Sequence, residues 1–241
     1  MTVVPSSTTR RDPQRSAAAA RSVLSCPADV GLVVDGAPGV LDGPDVAATV
    51  MQDCAGEPTF STPLGSDLAV AAAEGRAAVL TVSSGLGRPG SADREVTVGI
   101  AGRLVVRGRD TCQCCGDPRD LVALEPERVV LGRAGRPASE HEPVDLARFR
   151  APEHQLNRGY LQRSVEHAND HHQDELRRSV STAVGAPLDE VVGVALADLR
   201  ADGVEVQWVG PHGADRTVLR FPRAARTTAE LGHLLRRHLG S

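Results

Sequence analysis

Tyr160 to Ala183 reads YLQRSVEHANDHHQDELRRSVSTA, and its reading decides how the second half of the chain folds. Leu161, Val165, Ala168, His172, Leu176 and Val180 recur at three- and four-residue steps. On a 3.6-residue helix they form one apolar stripe, so the spacing predicts a single helix over 160–183. His172 falls within the stripe, Tyr160, Ser164, His167, His171 and Arg178 project from an adjoining face, and Asp170 and Asp174 point away. A histidine on such a stripe serves either as a hydrogen-bonded core residue or as a ligand through a neutral imidazole, for a metal or a haem iron. His167 and His171 stand four apart, the spacing at which two helical side chains share one ion. The position after His167 is Ala168, not Glu, which excludes the H-E-x-x-H zinc-protease pattern.

Beyond this helix the chain alternates strands and turns. EVVGVALADLRADGVEVQWVGPHGADRTVLRFP (190–222) divides into three strands, with Asp202-Gly203 at one turn and the PHGAD segment at the next. Pro222 closes the last strand, and TTAELGHLLRRHLG (227–240) is a helix with Thr227 or Thr228 as N-cap. Leu231, Leu234, Leu235 and His238 share one side of it, and His233 and Arg237 pair at i, i+4 on another. Helix, three antiparallel strands and helix make a small α+β domain over residues 151–241, with one sheet face covered by helices.

The first half has a different texture. Residues 1–11 are a polar lead of the kind that stays disordered, and a domain is expected over 12–132. DPQRSAAAARSVLSC (12–26) is a helix with Asp12 as N-cap and Pro13 at its first position. VGLVVDG (30–36), DVAATVMQDCAG (45–56) and EPTFST (57–62) are short strands whose spacing implies an antiparallel meander or barrel. PLGSDLAVAAAEG (63–75) is a short helix ended by Gly75, followed by the strand RAAVLTVSS (76–84). Gly85-Leu86-Gly87-Arg88-Pro89-Gly90 matches the dinucleotide-binding G-x-G-x-x-G pattern literally. A true fingerprint opens a helix that holds the pyrophosphate, whereas here Pro89 and the strand-like EVTVGIAGRLVV (95–106) follow. A hairpin loop is the expectation. LEPERVVLG (124–132) is a further strand, and residues 133–150, rich in Gly, Pro and charge, read as a linker.

Composition narrows the function classes. None of the 27 basic residues is lysine, which excludes a Schiff-base lysine, a P-loop lysine and a lysine general base. The net charge is −4, and residues 151–241 hold 11 arginines against 12 acids, so no basic excess points to nucleic acid. With no apolar run of signal-peptide or membrane-spanning length, the expected setting is cytoplasmic and away from membranes. Five cysteines, three of them (Cys112, Cys114 and Cys115) crowded in TCQCCGD, do not form a secreted disulfide framework. Cys112, Cys114 and Cys115 resemble half of a soft-metal site without its second half.

EHANDHHQDEL (166–176), the middle strand GVEVQW (203–208), RFP (220–222) and LGHLLRRH (231–238) resemble the C-terminal domain of HugZ-type haem-utilisation proteins. That family's motif, roughly His-x-Asn-x-Asp-His, falls here on His167, Asn169, His171 and His172, with His171 in place of the acid. ARSVLSCPADVGLVVDG (20–36) and PLGSDLAVAAAEGRAAVLTV (63–82) are similar, more weakly, to the FMN-binding split barrel of the pyridoxamine-phosphate-oxidase superfamily. The resemblance implies an α+β chain: an antiparallel split β-barrel followed by the small α+β domain, paired into a homodimer through the barrel. It implies haem as ligand or substrate, in some relatives opened oxidatively to release iron. His172, His167 and His233 are then the candidate iron ligands and Arg178 and Arg237 the candidate propionate contacts, with no further metal and no catalytic residue assigned. On one ideal helix His167 and His172 face about 140° apart, so at most one of them binds the iron. Where relatives carry phosphate contacts, Gly65-Ser66-Asp67-Leu68-Ala69 brings no basic group, which argues against FMN. The alternatives are a non-enzymatic dimeric adaptor or regulator of a tetrapyrrole-pathway enzyme and, behind it, a flavin-dependent oxidoreductase.

Overall fold

A computed structural model of the chain describes residues 12–37, 39, 41, 49–112 and 115–239. The polar lead over 1–11, the first part of the strand expected over 45–56, and Cys114 lie outside the described residues. The chain divides into two units, one up to Ala151 and the other from Pro152 onward. Each is an α+β arrangement built on an antiparallel sheet.

The first unit opens with α1 (Pro13–Ser25), started as the sequence predicts: Asp12 Oδ1 accepts from Gln14 N at 3.0 Å, and Pro13 occupies the first turn. Its strands are β1 (Pro27–Val34), β2 (Val50–Cys54), β3 (Glu57–Pro63), β4 (Ala77–Ser84), β5 (Val96–Thr111), β6 (Pro118–Arg133) and β7 (Glu142–Val144), with α2 (Asp67–Ala73) between β3 and β4. They form one curled, open seven-stranded sheet in the order β1-β4-β5-β6-β3-β2, with β7 added on β6. The expected antiparallel split barrel is what folds, but not as a meander. β1 and β2 stand at opposite edges, because β1 pairs with β4, Leu32 opposite Leu80, while the β2–β3 hairpin pairs with β6, Phe60 opposite Val122.

The inner face of this sheet buries Phe60, Leu80, Val82, Val98, Ile100, Leu104, Val122 and Leu124 with Ala17, Ala20, Val23 and Leu24 of α1. Each fully buried Leu or Phe contributes about 1.5–3 kcal/mol. The glycine-rich 85–90 stretch lies between the antiparallel partners β4 and β5, and Arg94 donates to Gly87 O at 3.3 and 3.2 Å. It is the hairpin connection that its proline requires. Residues 133–150, read as a linker, contain β7 and α3 (Leu146–Phe149). Val144 and Phe149 are buried in the first unit's core and Ser16 Oγ donates to Glu142 Oε1 at 2.5 Å, so this segment packs instead of spanning free.

One charge pair sits inside that core. Arg21 Nη2 lies 3.0 Å from Asp53 Oδ2, with side chains 2% and 5% exposed. Arg21 Nη1 also donates to Phe149 O at 3.0 Å, while Ser25 Oγ and Gly56 N donate to Asp53 at 2.6 and 2.7 Å. Each ion thus has hydrogen-bond partners besides the other, the condition under which a buried pair is tolerated.

The second unit comprises α4 (Arg158–His171), α5 (Gln173–Val184), β8 (Gly193–Arg200), β9 (Gly203–Gly210), β10 (Gly213–Arg220) and α6 (Thr228–Leu239). The three strands are ordered β10-β9-β8, with turns at the two predicted places. Val194, Leu196, Val204 and Val206 are buried together with Leu176 and Val180 of α5 and Leu231 and Leu234 of α6. Thr227 is the cap of α6, its Oγ1 accepting from Glu230 N at 3.2 Å. No described helix is long and apolar enough to cross a membrane.

Candidate functional site

The single helix expected over 160–183 is two helices, broken at His172, whose φ of −123° and ψ of 28° leave the helical region. No Gly or Pro marks the break. Its stabilisation comes from two side chains that reach the outer edge of β8. Asn169 Oδ1 accepts from Leu196 N at 2.8 Å, and Asn169 Nδ2 donates to Leu196 O at 3.0 Å, so the amide pairs with a strand edge as a neighbouring strand would. Gln173 Nε2 donates to Val194 O at 2.8 Å and to Asn169 O at 2.9 Å. Asn169 O is the carbonyl that the backbone N–H of residue 173 meets in an unbroken helix.

The break re-aims His172. It is not a core residue of the stripe: its side chain is 49% exposed. Its Nε2 lies 3.3 Å from His167 Nε2, the two rings edge-on at 74° with centroids 5.1 Å apart. The 140° separation calculated for one straight helix does not apply, because His167 sits on α4 and His172 is the non-helical residue at the break. His171 joins the group, its ring centroid 5.0 Å from that of His167. On the far side of the His172 ring, Glu175 Oε2 stands 3.9 Å from Nδ1.

His167 and His172 line one cavity of about 350 Å³ within the second unit. Its wall is mainly apolar, from Tyr160, Ala168, Leu176, Leu196, Leu235 and Leu239, and its polar groups are Ser164, the two histidines, Glu175 and Arg236. A small number of polar groups on an apolar wall is the usual constitution of a ligand site. Desolvation holds the His167 pKa below its ordinary value, and the positive charges of His171, His172 and Arg163 push it the same way, against a smaller opposing effect of Asp170. His167 is therefore a neutral imidazole at pH 7, with a lone pair available.

Other residues named from the sequence lie elsewhere. His233 is exposed and does not line the cavity. Arg178 is exposed, its Nε donating to Asp174 O at 3.1 Å, and Arg237 is exposed as well; neither lines the cavity. The arginine that does is Arg236. Its guanidinium lies back along α6 over Gly232, one helical turn earlier, where a Cβ would stand 3.4 Å from Nη1. His238 packs near Phe221, ring centroids 6.0 Å apart. In the first unit, Cys112 and Cys115 lie at the β5–β6 tip, with Cys115 Sγ 3.0 Å from Asp117 Oδ2. Ser66 caps α2 by accepting from Ala69 N at 3.2 Å. Among the described residues no three His, Cys, Asp or Glu side chains are grouped so as to hold a metal ion.

The fold and the site define a two-unit α+β chain whose second unit carries a histidine-lined, mainly apolar cavity. No protein-family model matches this chain, and no curated protein does. Among solved structures, a heme binding protein from Mycobacterium smegmatis is similar over 100% of this chain and 100% of its own, at 14% identity and a TM-score of 0.39. A protein of unknown function from Agrobacterium tumefaciens is similar over 98% of this chain and 100% of its own, at 17% identity and a TM-score of 0.37. At those scores the site stands on its own geometry.

Proposed function

We propose that the second unit binds haem at the cavity between α4, α5 and α6, with His172 as the axial ligand and Arg236 placed to meet a propionate. The carrying observation is the coincidence on one apolar wall of two imidazoles and a guanidinium. An imidazole is a common protein ligand of haem iron, and a guanidinium pairs with carboxylates bidentately. Glu175 supports His172 over His167, because a carboxylate 3.9 Å from Nδ1 favours a proton on that nitrogen electrostatically and so leaves Nε2 free. Only one of the pair serves the iron. His172 would hold the iron, and His167, its Nε2 3.3 Å from that of His172, would stand beside it. A cavity of about 350 Å³ takes the edge of a tetrapyrrole and leaves the rest in solvent.

In its finer form the proposal is a cytoplasmic homodimer of the HugZ type that opens the macrocycle oxidatively when supplied with O₂ and a reductant. Binding is tested by titrating haem into the purified apoprotein and following the Soret band, beside His167→Ala, His172→Ala, His233→Ala and Arg236→Ala variants. The expected result is saturable binding, lost or spectrally altered in His172→Ala, weakened in Arg236→Ala and unchanged in His233→Ala. A parent-like response from His172→Ala overturns it. Decay of the Soret band after adding a reductant in air tests turnover, and a stable bound haem removes the oxidative step.

A further inference from the structure

The spacing of the two imidazoles points to a second kind of ligand, independent of whether the cavity takes haem. We propose that His167 Nε2 and His172 Nε2 together chelate a bare late first-row divalent cation, with zinc as the reference ion. The argument is metric. With metal–nitrogen bonds of about 2.0–2.1 Å and a tetrahedral angle of about 109°, two ligating nitrogens stand about 3.3–3.4 Å apart. The two Nε2 atoms are 3.3 Å apart, which is one edge of that tetrahedron. The rings meet edge-on, at 74°, not stacked face to face. In an unbroken helix the chelating pair would be His167 and His171, four residues apart. Those two stay on α4 with ring centroids 5.0 Å apart, while the break brings His172 Nε2 to 3.3 Å from His167 Nε2, and the amide side chains of Asn169 and Gln173 hold the break against β8.

Imidazole donors suit zinc, copper, nickel and iron and not magnesium or calcium. Among the described residues no third His, Cys, Asp or Glu completes the set, so the chain supplies two ligands and the ion keeps two positions for water or a small anion. Arg236, on the same cavity wall, favours an anion there.

The test is a zinc titration of the full chain, without an affinity tag and with its thiols alkylated so that Cys112, Cys114 and Cys115 do not compete. Calorimetry reports stoichiometry, and long-range ¹H–¹⁵N spectra report which imidazole nitrogens take the ion. The expected result is one zinc per chain, coordinated through Nε2 of His167 and His172. That binding step is lost in both His167→Ala and His172→Ala and kept in His171→Ala and His233→Ala. The nitrogen spectra of the unmutated chain keep the test independent of any variant that folds poorly. Zinc that leaves both Nε2 signals unmoved, or binding that survives either alanine substitution, overturns the proposal and leaves a hydrogen-bonded histidine pair. Haem is titrated separately in zinc-free buffer: haem binding needs one imidazole and zinc binding needs both, so either result can fail alone.

Discussion

Asn169 on α4 and Leu196 on β8 are joined twice, Leu196 N donating to Asn169 Oδ1 at 2.8 Å and Asn169 Nδ2 donating to Leu196 O at 3.0 Å. This side-chain amide occupies the free edge of β8 just where α4 ends, so it fixes both the strand edge and the place of the helix break. Asn169→Ala leaves two backbone groups of Leu196 without a protein partner. The expected loss is about 1–3 kcal/mol of stability, read from chemical denaturation. The same variant weakens ligand binding in the cavity beyond what its stability loss explains, because His172 is no longer held beside His167.

The titration of His167 gives a second check. Its folded pKa lies below 6.5, with burial as the first cause and the charges of His171, His172 and Arg163 after it. The unfolded chain therefore binds more protons than the folded one as the pH falls below 6.5. By linkage this contribution to stability is full above that pH and is lost as the pH drops through the folded value. In chelator-containing buffer, ¹H NMR of the imidazole is expected to give a midpoint below 6.5 for His167. His171→Ala raises that midpoint without restoring it fully, because burial remains. A midpoint at or above 6.5 in the parent contradicts the arrangement.

Much of this architecture is legible in the amino-acid sequence, and the rest is not for identifiable reasons. Asp12 and Pro13 mark the start of α1, Asp202-Gly203 marks the β8–β9 turn, and Pro89 tells a hairpin from a nucleotide-binding glycine loop, each through chemistry local to a few residues. The opposite-edge placement of β1 and β2 depends on pairings between segments far apart in sequence, which alternation of apolar residues does not specify. The break at His172 is invisible for the same reason: the apolar period runs through it without interruption, and the side chains that stabilise it bond to a strand more than twenty residues on. The histidines are legible as a cluster, but their geometry as a pair is a tertiary property.

The buried pair in the first unit makes a separate prediction. Asp53→Ala leaves the Arg21 guanidinium 2% exposed with its ion-pair partner removed and also strips an acceptor from Ser25 Oγ and Gly56 N. Removing one member of a buried pair costs about 3–5 kcal/mol. Replacing both residues with apolar ones of similar volume costs less than Asp53→Ala alone, because no buried charge is then left behind. Denaturant melts of Asp53→Ala and of Arg21→Met/Asp53→Leu decide this. A double variant less stable than the single one contradicts it.

Gly232 and Arg236 allow the reach of the guanidinium to be separated from its charge. Gly232 lies inside α6, where a glycine costs about 0.5–1 kcal/mol relative to alanine. A Cβ there meets Arg236 Nη1 at 3.4 Å, an ordinary contact with the far end of a flexible side chain, so Gly232→Ala fits. It is expected to raise stability by about 0.5–1 kcal/mol and to leave anionic ligands in the cavity bound as before. Arg236→Lys keeps a positive charge at that position but lacks the planar fork that meets a carboxylate bidentately. If Arg236 acts by pairing with a ligand carboxylate at contact distance, Arg236→Lys weakens haem binding as Arg236→Ala does. If it acts only through its charge, Arg236→Lys binds like the parent and Arg236→Ala alone is impaired. The first outcome is expected, and haem titrations of the three variants at two salt concentrations distinguish them, since a contact pair loses less to screening than a distant charge.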